Sequence, residues 1–261
     1  MKKLRLYLVL FFSMVVVQQT LACVCLGASL MERVGKADFV ATAKILNVKP
    51  DQENSRMHNI TIEIIDLFKG GHTALLKLYS DFCSSCAFYT PENTTWLIFA
   101  NKNKDGNLTF GFCSGAKQMD KKFASERYPN AEKRYKKTIE RKLEVLKYLK
   151  KEKITPINEF GLKVFFPTKC LENFRGFEVK EQPFALYELT IDKDLSIKKV
   201  KPIKEFDNDN LKSSLRACLK EAYIWHRSKK TEIEKRAKIL ITLYYSAANE
   251  KRDSFISKFD V

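Results

Sequence analysis

Seven cysteines dominate the chemistry open to this chain. Cys23-Val24-Cys25 follows an apolar leader, Cys83-Ser84-Ser85-Cys86 and Cys113 come later in the first half, and Cys170 and Cys218 stand in the second. In an oxidising compartment such a count is a disulfide framework with one thiol left over. A zinc site built from Cys23-x-Cys25 and Cys83-x-x-Cys86 is the rival. Structural zinc favours reducing compartments, and a one-residue spacer is poor for tetrahedral chelation. A thioredoxin-like role for Cys83 and Cys86 needs the pair at a helix start after a strand. The residues that follow, Ala87-Phe88-Tyr89-Thr90-Pro91, do not form such a start.

Other chemistry is thin. His58, His72 and His226 are scattered, and none lies in a His-Glu-x-x-His pattern. There is no Gly-x-Ser-x-Gly, P-loop or Gly-x-Gly-x-x-Gly motif. The expectation is a protein that is not an enzyme and carries no cofactor or intrinsic metal.

The leader sets the compartment. Lys2, Lys3 and Arg5 precede the apolar run Leu6–Val17, and Thr20-Leu21-Ala22 offers small residues for cleavage. A signal peptide over 1–22 is expected, with Cys23 opening the mature chain. The apolar run falls short of the roughly 20 residues that span a bilayer. Ala22-Cys23 also suits a lipoprotein junction, although Thr20 stands where a large aliphatic residue is usual. The chain is thus expected to be exported, to a secreted, periplasmic or cell-surface location.

With 47 Lys+Arg against 31 Asp+Glu the chain is strongly basic. That favours anionic surfaces such as phospholipid head groups or polysaccharide. The basic run Lys121–Lys153 interleaves Glu126, Glu132, Glu140, Glu144 and Glu152, the pattern of a solvated helix face rather than a nucleic-acid arm. No nucleic-acid partner is expected. A hydrophobic content of 45% is enough to bury a core.

The elements that must position the cysteines follow from pattern. Strands are expected at Phe39–Val48, Ile60–Phe68, Leu75–Tyr79, Thr95–Ala100 and Asn107–Phe112, punctuated by Pro50-Asp51, Gly70-Gly71 and Asp105-Gly106. Five short strands suit a small closed barrel of the OB type. Asn59, Asn93 and Asn107 open glycosylation sequons, relevant in a eukaryotic source. From Asp120 to about Lys153 the rhythm turns helical, with Tyr135, Ile139, Leu143, Leu146 and Leu149 on one face and Pro129-Asn130 splitting a short helix from a longer one. Thr155-Pro156 marks a boundary. Beyond it, strands at Pro183–Ile191 and Ser196–Ile203 form a hairpin. A helix from Asp207-Asn208-Asp209 to about Trp225 and a strand at Ala237–Ser246 complete an antiparallel α+β unit. The fold class is therefore β plus α+β: residues 23–118 a barrel with flanking helices, 119–154 a basic helical segment, and 155–261 a small α+β domain.

Cys23-Val24-Cys25, Ala37-Asp38-Phe39-Val40-Ala41-Thr42-Ala43-Lys44, Phe68-Lys69-Gly70, Cys86-Ala87-Phe88, Trp96–Ala100 and Leu108–Ser114, in this order, resemble the netrin-like modules, above all the tissue inhibitors of metalloproteinases. The resemblance runs from Cys23 to about Ser114. It implies an OB-type barrel with bridges Cys23–Cys86 and Cys25–Cys113 and an inhibitory ridge of Cys23, Val24 and Cys25. It also implies that the Cys23 α-amine and carbonyl oxygen chelate the zinc of a partner protease. An α-amine has a pKa near 8, so a neutral fraction is present at pH 7 to donate to a metal. Val24 would enter the specificity pocket. Departures include Val24 itself, where a small hydroxyl residue is usual, and Gly35, where a further Cys is expected. Co-location in one domain suggests Cys170–Cys218, which leaves Cys83 free. Were Cys83 to take Cys23, Cys86 would be the odd thiol.

More loosely, residues 174–246 resemble the C-terminal domain of TonB-type energy transducers. The carriers are Ala185–Asp194, Ser196–Ile203, Leu211–Ala217 and Trp225. Leu195 replaces that family's turn glycine, and the chain lacks its membrane helix and spacer. The resemblance implies a partner-binding module for an envelope protein, not energy coupling. Two functions thus stand side by side: a metalloproteinase inhibitor acting through Cys23, and a non-inhibitory periplasmic or surface interaction protein.

Overall fold

The computed structural model describes the chain except residues 1–24, 26, 82–84, 125–126, 168–169, 171, 227, 229 and 259–261. Five strands close the first half: β1 (Phe39–Pro50), β2 (Met57–Lys69), β3 (Leu75–Tyr79), β4 (Thr95–Lys102) and β5 (Leu108–Gly111). Their order is β1-β2-β3-β5-β4, and β1 pairs again with β4, Phe39 opposite Ala100. Every pairing is antiparallel except β3 with β5, so this is a mixed five-stranded barrel. The short β6 (Lys117–Gln118) pairs antiparallel with the start of β4, Trp96 opposite Gln118.

Residues 39–45 and 96–100 are nearly continuous in apolar character because both faces of β1 and β4 are covered. Phe39, Ala41, Ala43, Trp96, Ile98 and Ala100 fill the barrel. Val40, Leu97 and Phe99 point outward, into a second core shared with helices α1 (Leu30–Lys36) and α2 (Ala131–Lys151).

α2 starts after Asn130, at φ +67°, and buries Ile139, Val145, Leu146 and Leu149. The short helix expected ahead of Pro129 does not form among the described residues of 119–130. The basic face is also less solvated than charge alternation suggested. Arg141 and Lys142 are buried, because α2 is packed on two sides, by the barrel and by the second half.

The second half builds a four-stranded antiparallel sheet, β12-β11-β8-β9, from β8 (Phe184–Ile191), β9 (Ile197–Lys204), β11 (Ala237–Ser246) and β12 (Phe255–Ser257). Leu195 adopts φ +65° in the β8–β9 turn, a conformation that glycine takes more easily. Helix α3 (Asp209–Lys220) is capped by the Asn208 side chain, which accepts from the Leu211 N–H. It buries Leu211, Leu215 and Leu219 on one face of the sheet. It stops at Lys220, not near Trp225. Tyr223–His226 instead forms β10, paired with β7 (Leu162–Phe165), a contact too distant in sequence for local propensity to announce.

One core belongs to the barrel, one to the second half, and the third is common to both: Leu30, Val40 and Leu146 meet Phe184, Leu186 and Tyr244 there. Arg141 reinforces this junction, its Nη2 donating to the Tyr245 carbonyl at 2.8 Å and the Ser246 Oγ at 3.2 Å.

Candidate functional site

Cys25 is bonded to Cys113, with Cα atoms 5.2 Å apart across 88 residues of chain. In the chain-entropy model such a loop contributes about 4–5 kcal/mol. Cys113 sits in a single 3-10 turn, Phe112–Ser114, directly after β5. Its carbonyl oxygen accepts from Arg33 Nη1 at 3.2 Å. Gly115 follows at φ +87°, and any Cβ there would collide with the Arg33 guanidinium. The bridge is therefore held from both sides, by the barrel through β5 and by α1 through Arg33.

α1 is fixed in turn. Ser29 and Glu32 form a capping box: the Ser29 Oγ accepts from the Glu32 N–H, and the Glu32 carboxylate accepts from the Ser29 N–H. At the other end Lys69 Nζ donates to the carbonyls of Val34 and Gly35. Gly70, at φ +91°, lies against the Asp38 carbonyl with no room for a side chain. Phe68-Lys69-Gly70 thus closes the helix that carries Arg33. Ser29-x-x-Glu32 marks this helix in the sequence, one of the flanking helices expected of the barrel but not placed at these residues by pattern.

Between Cys25 and Ser29 the chain crosses to the second half, where Lys163 Nζ donates to the Gly27 carbonyl at 3.3 Å. A recess of about 350 Å³ opens beside the bridge, lined by Cys25, Arg33, Lys36, Cys113 and Lys163 among others. Burial lowers the Arg33 pKa from its ordinary value, opposed by the neighbouring Glu32. On the barrel side Phe112 and Tyr89 are exposed, and Phe88 packs edge-on against Trp96, Phe110 and Phe112.

Cys23, Val24 and Cys83 lie outside the described residues, and with them the proposed ridge tip, the Cys23–Cys86 pairing and the free thiol. Cys86 is disulfide-bonded to a partner that is not among the described residues. Cys170 is bonded to Cys218, tying α3 to the segment between β7 and β8 and contributing to the core of the second half, away from Cys25.

Among the described residues no three His, Cys, Asp or Glu side chains come together as a metal site. His58 lies on β2, His72 in the β2–β3 turn and His226 on β10. No described helix is long and apolar enough to cross a membrane.

Residues 21–152 match the family model of the tissue inhibitors of metalloproteinase, about half of the chain. The chain belongs to that family. The match begins two residues ahead of the Cys-x-Cys, spans the barrel and ends one residue past α2. The described part of the family region contains the barrel, the Cys25–Cys113 bridge and the helix that holds it. Tissue inhibitors of metalloproteinase are inhibitors rather than enzymes, and three bonded cysteine positions in the first half fit an exported protein. The second half lies outside the match. No curated protein matches the chain.

Proposed function

We propose that the protein is an exported metalloproteinase inhibitor whose ridge is Cys23, Val24 and Cys25. Cleavage after Ala22 frees the Cys23 α-amine, which with the Cys23 carbonyl oxygen chelates the zinc of a target protease. Val24 fills an apolar specificity pocket. The observation that carries this reading is the Cys25–Cys113 bridge within the family-matched module. Such an anchor sits two residues from the donor atoms. It would remove most of the conformational entropy that a flexible N-terminus loses on binding.

In this reading Cys23 pairs with Cys86, Cys83 is the free thiol, and the module boundary falls near residue 154. The private cores of the two halves support that boundary. The second half supports the ridge through Lys163 and the common core.

The test is a direct assay of the purified mature chain against a panel of zinc metalloproteinases. Stoichiometric slowing of at least one supports the reading. No effect on any would move the assignment to a binding module in which Cys23 is only half of a structural disulfide.

A further inference from the structure

A cavity of about 220 Å³ lies between the start of α1 and the facing edges of β7 and β11. We propose that it binds a small amphipathic carboxylate, of the size and class of a medium-chain fatty acid.

The walls are apolar, with Met31, Ile157, Leu162, Phe165 and Ile241 among them. Two ammonium groups stand among the lining residues. Lys258 Nζ lies 4.9 Å from the centre of the Phe165 ring and donates to the Val164 carbonyl, and Lys163 Nζ donates to the Gly27 carbonyl. The lining carboxylate, Glu32, is engaged by the Ser29 N–H in the capping box. The lining carries two ammonium groups, each already donating to a carbonyl, against one carboxylate, a balance of charge that favours an anion over a cation.

Thr242 also lines the cavity. Its hydroxyl is buried and lacks a hydrogen-bond partner, and the residue is only 7% exposed. An orphaned hydroxyl in such a place calls for a polar ligand atom.

The edge of β11 adds donors. β8 pairs with β11 from Ala237 to Tyr244, whereas β12 meets its other side only at Tyr244–Ser246. The Tyr245 N–H donates to Pro183, on the β8 side. By alternation Leu240 and Thr242 turn their backbone N–H groups to the opposite edge. No described strand pairs with them there. A carboxylate head has acceptors for these donors and for the hydroxyl, and a short alkyl tail suits the apolar walls. Gly27 and Ser29 line the same cavity, so an occupant would abut the chain leading from Cys25.

The test titrates the mature protein with octanoate, and in parallel with octylamine, following the isoleucine methyl groups by NMR. Saturable shifts at Ile157, Ile239 and Ile241 with octanoate alone are expected. Thr242→Val should weaken octanoate binding about five- to tenfold, the worth of one hydrogen bond, and Lys258→Gln should weaken it as well. The proposal is overturned if octylamine moves the same methyls equally, if octanoate moves none of them, or if both variants bind octanoate as the wild type does. Should Thr242→Val fail to fold, the comparison of the two probes on the wild-type protein still decides. This readout does not involve a protease, so it stands or falls separately from the inhibitor assignment.

Discussion

Lys163, on the first strand of the second half, donates its ammonium to the carbonyl oxygen of Gly27, two residues beyond Cys25. The family-matched module is thus touched, next to its bridge, by a residue that lies outside the match. Both partners of this bond are near the surface, where it contributes at most about 1 kcal/mol to stability. Lys163→Met should leave the melting temperature within about 2 °C of wild type by calorimetry. It should nevertheless weaken inhibition several-fold, because the segment carrying the ridge loses one restraint.

The contact of Arg33 with Cys113 and Gly115 makes a sharper stability prediction. Gly115→Ala forces a side chain into the guanidinium at a φ that disfavours any Cβ. The expected loss is about 1–3 kcal/mol in urea unfolding. Arg33→Met removes the donor to the Cys113 carbonyl and should cost about 1–2 kcal/mol. The two losses should not add, because Arg33→Met also removes the group that the added methyl would strike.

Arg141 ties α2 to the end of β11 through the Tyr245 carbonyl and the Ser246 hydroxyl. Together with the common core it makes separate melting of the halves unfavourable. A single calorimetric transition is expected for the wild type. Arg141→Met should lower the stability by about 2–3 kcal/mol, since it leaves buried acceptors without their charged donor.

Lys142 carries the clearest pH signature. Burial, reinforced by the positive charges of Lys117 and Arg33, lowers its pKa to about 7. The unfolded chain would hold this proton up to the ordinary value of 10.5. Between about pH 7 and 10 the unfolded state therefore binds more protons at this site. Its contribution to stability then rises with pH, by roughly 1.4 kcal/mol per pH unit, and is flat below 7. Lys142→Met should be more stable than wild type at pH 7, and the difference should shrink toward pH 10. Urea denaturation at a series of pH values measures it.

The barrel was legible because β1 and β4 are apolar on both faces and the turn glycines fall where the chain reverses. What was not legible had distant causes. α1 is only seven residues long, and its capping box is its main local mark. β10 is a strand because Tyr223–His226 finds β7, although Trp225 follows a helical run. The burial of Arg141 and Lys142 depends on the second half closing over α2, which charge alternation along one helix cannot disclose. At the site, Cys25 and Cys113 stood out as residue types, but Arg33 and Gly115, which hold their bridge, carry no motif of their own.

The zinc-chelation mechanism rests on a free α-amine at Cys23, and one residue added ahead of it tests this directly. The extension turns the amine into an amide nitrogen, a very poor metal donor, and leaves the barrel and the Cys25–Cys113 bridge untouched. Inhibition constants for a zinc metalloproteinase that the mature protein inhibits should be compared with and without the extra residue, with melting temperatures as the control for folding. The account predicts unchanged melting and loss of inhibition by at least about a hundredfold, because even loss of an outer-shell partner of a metal ligand costs about 10–100-fold and here a direct donor is lost. Equal inhibition by the two forms would contradict it.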